Sequence, residues 1–295
     1  MRREEPRTSP EFRVRGLFIY PLKSAAGIGV SSAEVDAFGL RHDRRWTVIG
    51  EDGRVVTQRE VPRLALVSAR VEGREGGALR LDAPGRSSLA VPAVPEAGSP
   101  EPLRIWGHEA FGWRVDPAAD GWLTAFLGLP CRLLYMPGSG DRVARSPRSG
   151  REARVAFADA FPFHLISSAS LEALNRRSGA PIPMNRFRPN LVVEGCTPHE
   201  EDRWRSIRIG DTLEFEVAKP CPRCSVPAVD QATGQRAQDP LRILASYRTW
   251  EGKVYFGQNL LHTGRGTLRV GDAVEVLELG EPEPPCPAID LTATC

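Results

Sequence analysis

From residue 14 onward the chain is a succession of short apolar runs, many alternating with polar positions and most bounded by Gly, Pro or Asp. Alternation over four to eight residues with such punctuation is the pattern of strands half-buried against a core. It predicts strands over 14–20 and 29–37. Next comes a hairpin whose arms, 46–49 and 54–57, flank the turn Gly50-Glu51-Asp52-Gly53. Further short strands are expected at 64–71, 79–81, 89–91, 103–106 and 110–115, with a Pro-rich loop over 92–102. In the second half the same reading gives 153–157, 191–194, 205–209, 212–217, 254–256, 267–270 and 273–277. The segment 226–229 also reads as extended.

Helical spacing is rarer. Asp116-Pro117 offers an N-cap followed by proline in the first turn, Trp122 and Phe126 then fall on one face, and Pro130 ends the run. A second helix is expected near 168–177, with serine at its entry, Arg176 and Arg177 at its end and Gly179 beyond. A third begins at Asp239-Pro240. Between 137 and 151 the chain turns Gly/Ser/Arg-rich and offers little to bury, so a linker or exposed loop is expected there. The runs Ile209-Gly210-Asp211 and Val270-Gly271-Asp272 echo each other, and recurrent turn chemistry explains two short copies better than a repeat architecture does. The fold class expected is therefore mainly β with short helices (α+β), in two β-rich, barrel-like domains.

Composition narrows the function more than the fold. A length of 295 residues suits two domains, and 28 Gly with 26 Pro agrees with many turns. The net charge of +2 lacks the basic excess of a nucleic-acid binder, so no nucleic-acid partner is expected. Residues 1–11 read as a polar, disordered lead without the apolar segment of a secretory signal, and no run of about 18 apolar residues occurs to span a membrane. Six cysteines are too sparse for a disulfide scaffold. The expectation from these signs is a cytoplasmic protein with reduced thiols and no membrane association.

The densest chemical signal is Cys221-Pro222-Arg223-Cys224. A C-x-x-C can hold zinc, exchange disulfides, give one thiolate to another metal, or be two buried small hydrophobes. Zinc needs four ligands, and neither a second C-x-x-C nor a paired histidine motif occurs. Arg186-Phe187-Arg188-Pro189-Asn190 leads into an apolar strand, where a clefted Arg would meet an anion and Pro189 keeps Arg188 out of the helical region. Lys23-Ser24 ends the first strand and could approach a phosphate, although a lone Lys-Ser pair is most often solvated. The cluster Arg41-His42-Asp43-Arg44-Arg45 has surface salt bridging as its ordinary explanation. Asp159 lies among apolar residues, either capping a turn or facing a pocket with a raised pKa. His164 and His262 lack ligand spacing and read as structural.

Taken in order, several segments resemble one family. They include Tyr20-Pro-Leu-Lys-Ser24, Asp43-Arg-Arg-Trp46, Val56-Thr-Gln-Arg59, Phe157-Ala-Asp-Ala-Phe-Pro162, Arg186-Phe-Arg-Pro-Asn190, Pro220-Cys-Pro-Arg-Cys224 and Phe256-Gly-Gln-Asn259. The chain resembles MOSC-domain proteins that carry a preceding β-barrel domain, with likeness closest to the amidoxime-reducing and N-hydroxylamine-reducing molybdoenzymes. The resemblance implies an N-terminal MOSC-associated β-barrel domain over 13–136 and a MOSC domain over 150–279. It implies a molybdenum–pterin cofactor whose metal is ligated by the Cys224 thiolate, a suitably soft donor. Cofactor contacts fall on Lys23, Ser24 and Arg44 from the first half and on Arg188, Asn190 and Asn259 from the second. Asp159 matches an acid near the metal, and Cys221 need not ligate. Pro222 departs from the pattern by replacing a small hydroxyl residue.

The activity implied is reduction of N-hydroxylated small molecules by N–O cleavage. Cys286 and Cys295 cannot alone hold an iron–sulfur cluster that needs four cysteines, so the electron donor is expected to be a separate protein of the ferredoxin or flavin-reductase type. Two other readings compete. One is a non-catalytic carrier of the cofactor or of sulfur, using the same cysteine. The other is an interaction barrel with a vestigial site.

Overall fold

The computed structural model describes residues 12–72, 77–92, 100–237 and 239–284. The polar lead and both C-terminal cysteines lie outside the described residues, as does most of the Pro-rich loop.

Seven strands close into a barrel. Phe163–Ser167, Leu191–Glu194, Phe12–Ile19, Ala273–Leu279, Trp204–Ile209, Leu213–Pro222 and Lys253–Thr263 follow one another around it, and Lys253–Thr263 pairs back onto Phe163–Ser167. Closure removes free edges. All neighbouring pairs are antiparallel except Phe163–Ser167 with Leu191–Glu194. Val14, Leu17, Phe163, Leu165, Leu191, Val193, Trp204, Ile207, Phe215 and Leu260 are buried in one cluster in its interior, as the alternation along these strands requires. The first strand of the chain thus completes a barrel built otherwise from the second half. Ser32–Asp36 also reaches across and pairs with Gly266–Arg269.

Residues 46–135 form a separate core. Trp46–Gly50, Cys131–Tyr135, His108–Arg114 and Pro100–Ile105 make a four-stranded sheet, and Ser68–Glu72, Ala78–Asp82 and Leu89–Val91 a three-stranded one. The helix Pro117–Leu127 packs Trp122, Leu123 and Phe126 onto a cluster that includes Trp46, Val48, Leu64 and Leu81. Its ends match the sequence. Asp116 accepts a hydrogen bond from the Ala118 amide, and Gly128 closes the helix at φ 76°. Asp116→Ala should therefore cost about 1 kcal/mol in chemical denaturation, with the helix otherwise retained.

Four expectations are corrected. Residues 64–71 are not one strand, because Pro62 starts a 3-10 turn, Pro62–Leu66, before Ser68–Glu72 begins. Residues 226–229 are not extended but open with the 3-10 turn Val226–Ala228. The second arm of the first hairpin makes only isolated bridges, Val55 with Ile49 and Arg54 with Arg104, since the strand Trp46–Gly50 takes Cys131–Tyr135 as its main partner. Finally, 137–151 is no bare linker: Val143–Arg145 pairs with Glu152–Arg154, and Ser146 and Ser149 hydrogen-bond the buried carboxylate of Glu216. Polar residues here are anchored by a charge inside the barrel wall rather than by apolar burial, which composition does not reveal.

Candidate active site

Cys224 sits just beyond the end of the barrel strand Leu213–Pro222, half-buried. The loop carrying it is pinned on both sides. Arg223 donates to the Phe187 carbonyl at 2.9 Å, and Arg186 donates through Nε to the Pro227 carbonyl at 2.5 Å. Arg223 also donates to the Cys221 sulfur at 3.2 Å and lies 3.2 Å from His164 Nε2. Burial, followed by the Arg223 charge, holds His164 well below the usual histidine range, so the imidazole is neutral. Burial raises the Cys221 thiol. The two cysteines of the motif therefore occupy different surroundings.

Arg59 approaches Cys224 from the first half. Its Nη1 lies 3.6 Å from the Cys224 sulfur and 3.3 Å from Asp159 Oδ2, and its guanidinium stacks 4.4 Å above the Trp106 ring. Asp159 is half-exposed, and its other oxygen accepts a hydrogen bond from the buried Lys23 ammonium. The crowding around Asp159 pushes its pKa up, but Lys23 and Arg59 outweigh this and hold the carboxyl well below the usual carboxylate range. A raised pKa and a turn cap were the two expectations for Asp159, and the ion pairs replace both. Burial lowers the Lys23 pKa, while Asp159 opposes the shift.

A second cluster adjoins the first. The Tyr20 ring lies between the guanidiniums of Arg44 and Arg188, 4.3 and 4.2 Å from its centroid. Burial pushes the Tyr20 hydroxyl up to about 12, and it donates to the Pro189 carbonyl at 2.9 Å. Arg44 is bound to Asp43 at 2.6 Å and to Asn190 Oδ1 at 3.0 Å. Asn190 in turn donates to the Phe18 carbonyl at 3.1 Å. The 41–45 segment is thus not a surface charge cluster: Asp43 and Arg45 are buried. Arg188 donates to the Ala25 carbonyl at 2.7 Å, yet its buried Nη2 has no hydrogen-bond partner. Burial, with Arg44 alongside, pulls the Arg188 pKa down to about 10, the sign of a cation whose neighbours do not neutralise it.

Three of these residues have left-handed backbones: Ser24 at φ 63°, Arg44 at 49° and Arg188 at 57°. Such conformations are unfavourable for residues with side chains and persist where the surroundings over-determine them. Gln58 donates to the Ser24 carbonyl at 2.7 Å, and Arg44 is held through both its amide (to the Tyr20 carbonyl, 2.8 Å) and its carbonyl (from the Phe157 amide, 2.9 Å). Pro189 does keep Arg188 out of the right-handed helical region. Asn259 is buried on the strand Lys253–Thr263, in register with His164 and Lys219. Two residues before it, Gly257 has φ 77°, and a Cβ there would lie 2.5 Å from the Leu165 carbonyl oxygen and 2.7 Å from His164 Nε2, so only glycine lets the strands close at this point.

The Lys23–Asp159 pair is thus joined to Cys224 through Arg59, Arg44 and Arg188 are joined through Tyr20, and Asn190 is bonded to Arg44 directly. Arg59, Arg223, Tyr20 and Trp106 were not singled out from sequence. Arg59 and Arg223 do lie inside Val56-Thr-Gln-Arg59 and Cys221-Pro-Arg-Cys224, so motif membership was the available signal.

The residues present fit an anionic metal–pterin group. One soft sulfur donor stands against the Arg59 cation, and the second cluster holds a buried guanidinium nitrogen that lacks an acceptor. Among the described residues no group of three or more His, Cys, Asp and Glu could hold a metal by itself, so most ligands would have to come from the group.

Two family models match the chain: the MOSC N-terminal beta barrel domain over residues 11–130 and the MOSC domain over 152–275. Mouse mitochondrial amidoxime-reducing component 1 is 38% identical, the match covering 94% of this chain and 86% of that protein. The human protein of the same name is 36% identical over 90% of this chain and 82% of its own length. A rice molybdenum cofactor sulfurase is 30% identical over 84% of this chain but only 32% of its own length. The mitochondrial names of these relatives overturn the expectation of a cytoplasmic protein. That expectation rested on a missing apolar signal, whereas mitochondrial transit segments are amphipathic and Arg-rich. Likeness over nearly the whole length makes the chain a member of the mitochondrial amidoxime-reducing component family of molybdenum-cofactor-dependent reductases of N-hydroxylated substrates.

Proposed function

We propose that the protein reduces N-hydroxylated small molecules, such as amidoximes and hydroxylamines, at a site centred on Cys224. The observation that carries this reading is the meeting of the Cys224 thiol with Arg59 and Asp159, beside a cationic cradle that contains an unpartnered guanidinium nitrogen. The molybdenum–pterin group, when bound, supplies the two-electron chemistry that cleaves the N–O bond. Overall, the substrate takes up two electrons and two protons, leaving the N–H compound and water. The electrons come from a separate donor protein of the ferredoxin or flavin-reductase type.

Each residue has a distinct part in this reading. Cys224 gives its thiolate to the metal. Lys23, Ser24, Arg44, Arg188, Asn190 and Asn259 would hold the pterin and its phosphate, and Ser24, Arg44 and Arg188 share a left-handed backbone. Asp159, kept ionised by Lys23 and Arg59, is an acceptor only. It therefore suits the N–H and O–H donors of an amidoxime and would hold such a substrate near Cys224. In this reading the chain divides into an N-terminal unit, 13–136, and a MOSC unit, 150–279, with the strand Phe12–Ile19 contributed across the division to the barrel. Among the described residues no helix is long and apolar enough to cross a membrane.

Asp159→Asn keeps the shape and removes the charge. It should lower kcat about a hundredfold at unchanged molybdenum content, the scale of losing an oriented charged hydrogen bond in a reacting site. Steady-state benzamidoxime reduction with a chemical reductant checks this, and an unchanged kcat would remove Asp159 from the mechanism. The carrier reading predicts a different pattern, in which the bound cofactor is released reversibly and neither benzamidoxime nor hydroxylamine is turned over.

A further inference from the structure

Trp106 is out of place by every local rule. Together with Gly107 it forms the two-residue turn between the strands Pro100–Ile105 and His108–Arg114, where His108 pairs with Ile105. Both turn residues have positive φ, 53° and 82°. That combination is a type I′ turn, which favours Asn, Asp or Gly at its first position and is poorly served by a bulky aromatic residue. Trp106 is also 58% exposed and belongs to none of the hydrophobic clusters, so neither turn geometry nor core packing accounts for it.

Its neighbours do account for it. The ring carries Arg59 at 4.4 Å, and Arg59 is the side chain that touches both the Cys224 sulfur and Asp159. A large π surface therefore stands at the open edge of the reactive group, with its remaining area exposed. Flat, conjugated groups bind such a surface by stacking, and cationic ones gain a further attraction from the ring face. Amidoximes are flat, and the amidines they yield are flat cations.

We propose that Trp106 is a specificity-determining residue whose indole forms one wall of the substrate site, selecting planar conjugated N-hydroxylated compounds over small unconjugated ones. The inference rests on the function proposed above and adds a substrate preference to it.

The turn supplies its own control. Trp106→Asn installs a residue that type I′ turns prefer, so the hairpin should fold at least as well as in the wild type. Cofactor-loaded wild type, W106N and W106F are compared by molybdenum content, by kcat and KM for benzamidoxime and for hydroxylamine, and by equilibrium binding of benzamidine, which needs no turnover. In W106N, KM for benzamidoxime and the dissociation constant of benzamidine should each rise about tenfold, the scale of a lost aromatic stack. The kcat/KM preference for benzamidoxime over hydroxylamine should fall by a similar factor, and W106F should recover most of it. Benzamidine affinity unchanged in W106N overturns the role of Trp106, as does activity that falls only in proportion to lost molybdenum, since Trp106 would then act through Arg59 on the cofactor. Failure of the wild type to reduce either compound, with benzamidine still bound more weakly by W106N, overturns the reductase reading and leaves the wall in place.

Discussion

Cys224→Ala should abolish reduction of N-hydroxylated substrates, lowering kcat at least about a thousandfold, while Cys221→Ala loses no more than about tenfold. The difference follows from geometry rather than from the motif, which is symmetrical. Cys224 faces Arg59 and the Lys23–Asp159 pair, whereas Cys221 sits at the strand end beneath Arg223 and His164. In the proposed reading the Cys224 thiolate would set the electronics of the metal, and Asp159, paired with two cations, would not replace it. Removing Cys221 only takes an acceptor from Arg223, which keeps the Phe187 carbonyl and therefore keeps its loop in place. Activity and the electronic spectrum of the loaded protein should both change in the Cys224 variant and hardly at all in the other. Equal losses in the two variants would sink the assignment.

The second large effect lies away from the chemistry. Asp202 and Arg248 form a two-pronged ion pair at 2.6 and 3.0 Å, both side chains about 1% exposed, and Gln258 donates to the same carboxylate at 2.8 Å. Arg248 follows the helix Pro240–Ala245, and its carbonyl accepts from the Tyr255 amide. Tyr255 in turn lies in register with Pro222 of the cysteine-bearing strand. The pair thus fastens the excursion after Cys224 back onto the barrel. Asp202→Ala strands a buried guanidinium and should destabilise by ~3–5 kcal/mol in denaturant unfolding. Replacing both partners with apolar residues of similar size should recover much of that loss, since two desolvated charges offset most of their own attraction. A double variant as unstable as the worse single one would show that the network, not the stranded charge, carries the stability.

Much of the fold was legible because most strands read as alternation and most turns carry glycine or proline. Asp116-Pro117 and Asp239-Pro240 each started the helix they were expected to start. Two of the errors share a cause. Val226–Ala228 and the 143–154 hairpin owe their shapes to distant polar groups, Arg186 in one case and Glu216 in the other, and no local pattern records such partners. Barrel closure by Phe12–Ile19 is likewise a long-range pairing. At the site, Cys224, Lys23, Arg188 and Asn190 were named through the resemblance. Arg59 and Trp106 are not legible, because an arginine after a polar run and a tryptophan in a turn look like surface residues until the fold stacks one on the other and brings Arg59 to the Cys224 sulfur.

The most direct test of the central claim is molybdenum and pterin content per chain, measured on protein produced in a cofactor-competent host, together with benzamidoxime reduction by the same sample. The structure predicts about one molybdenum and one pterin per wild-type chain, with benzamidine formed in proportion to the metal. Protein that contains neither molybdenum nor pterin, or that holds both tightly without reducing any N-hydroxylated compound, would contradict it.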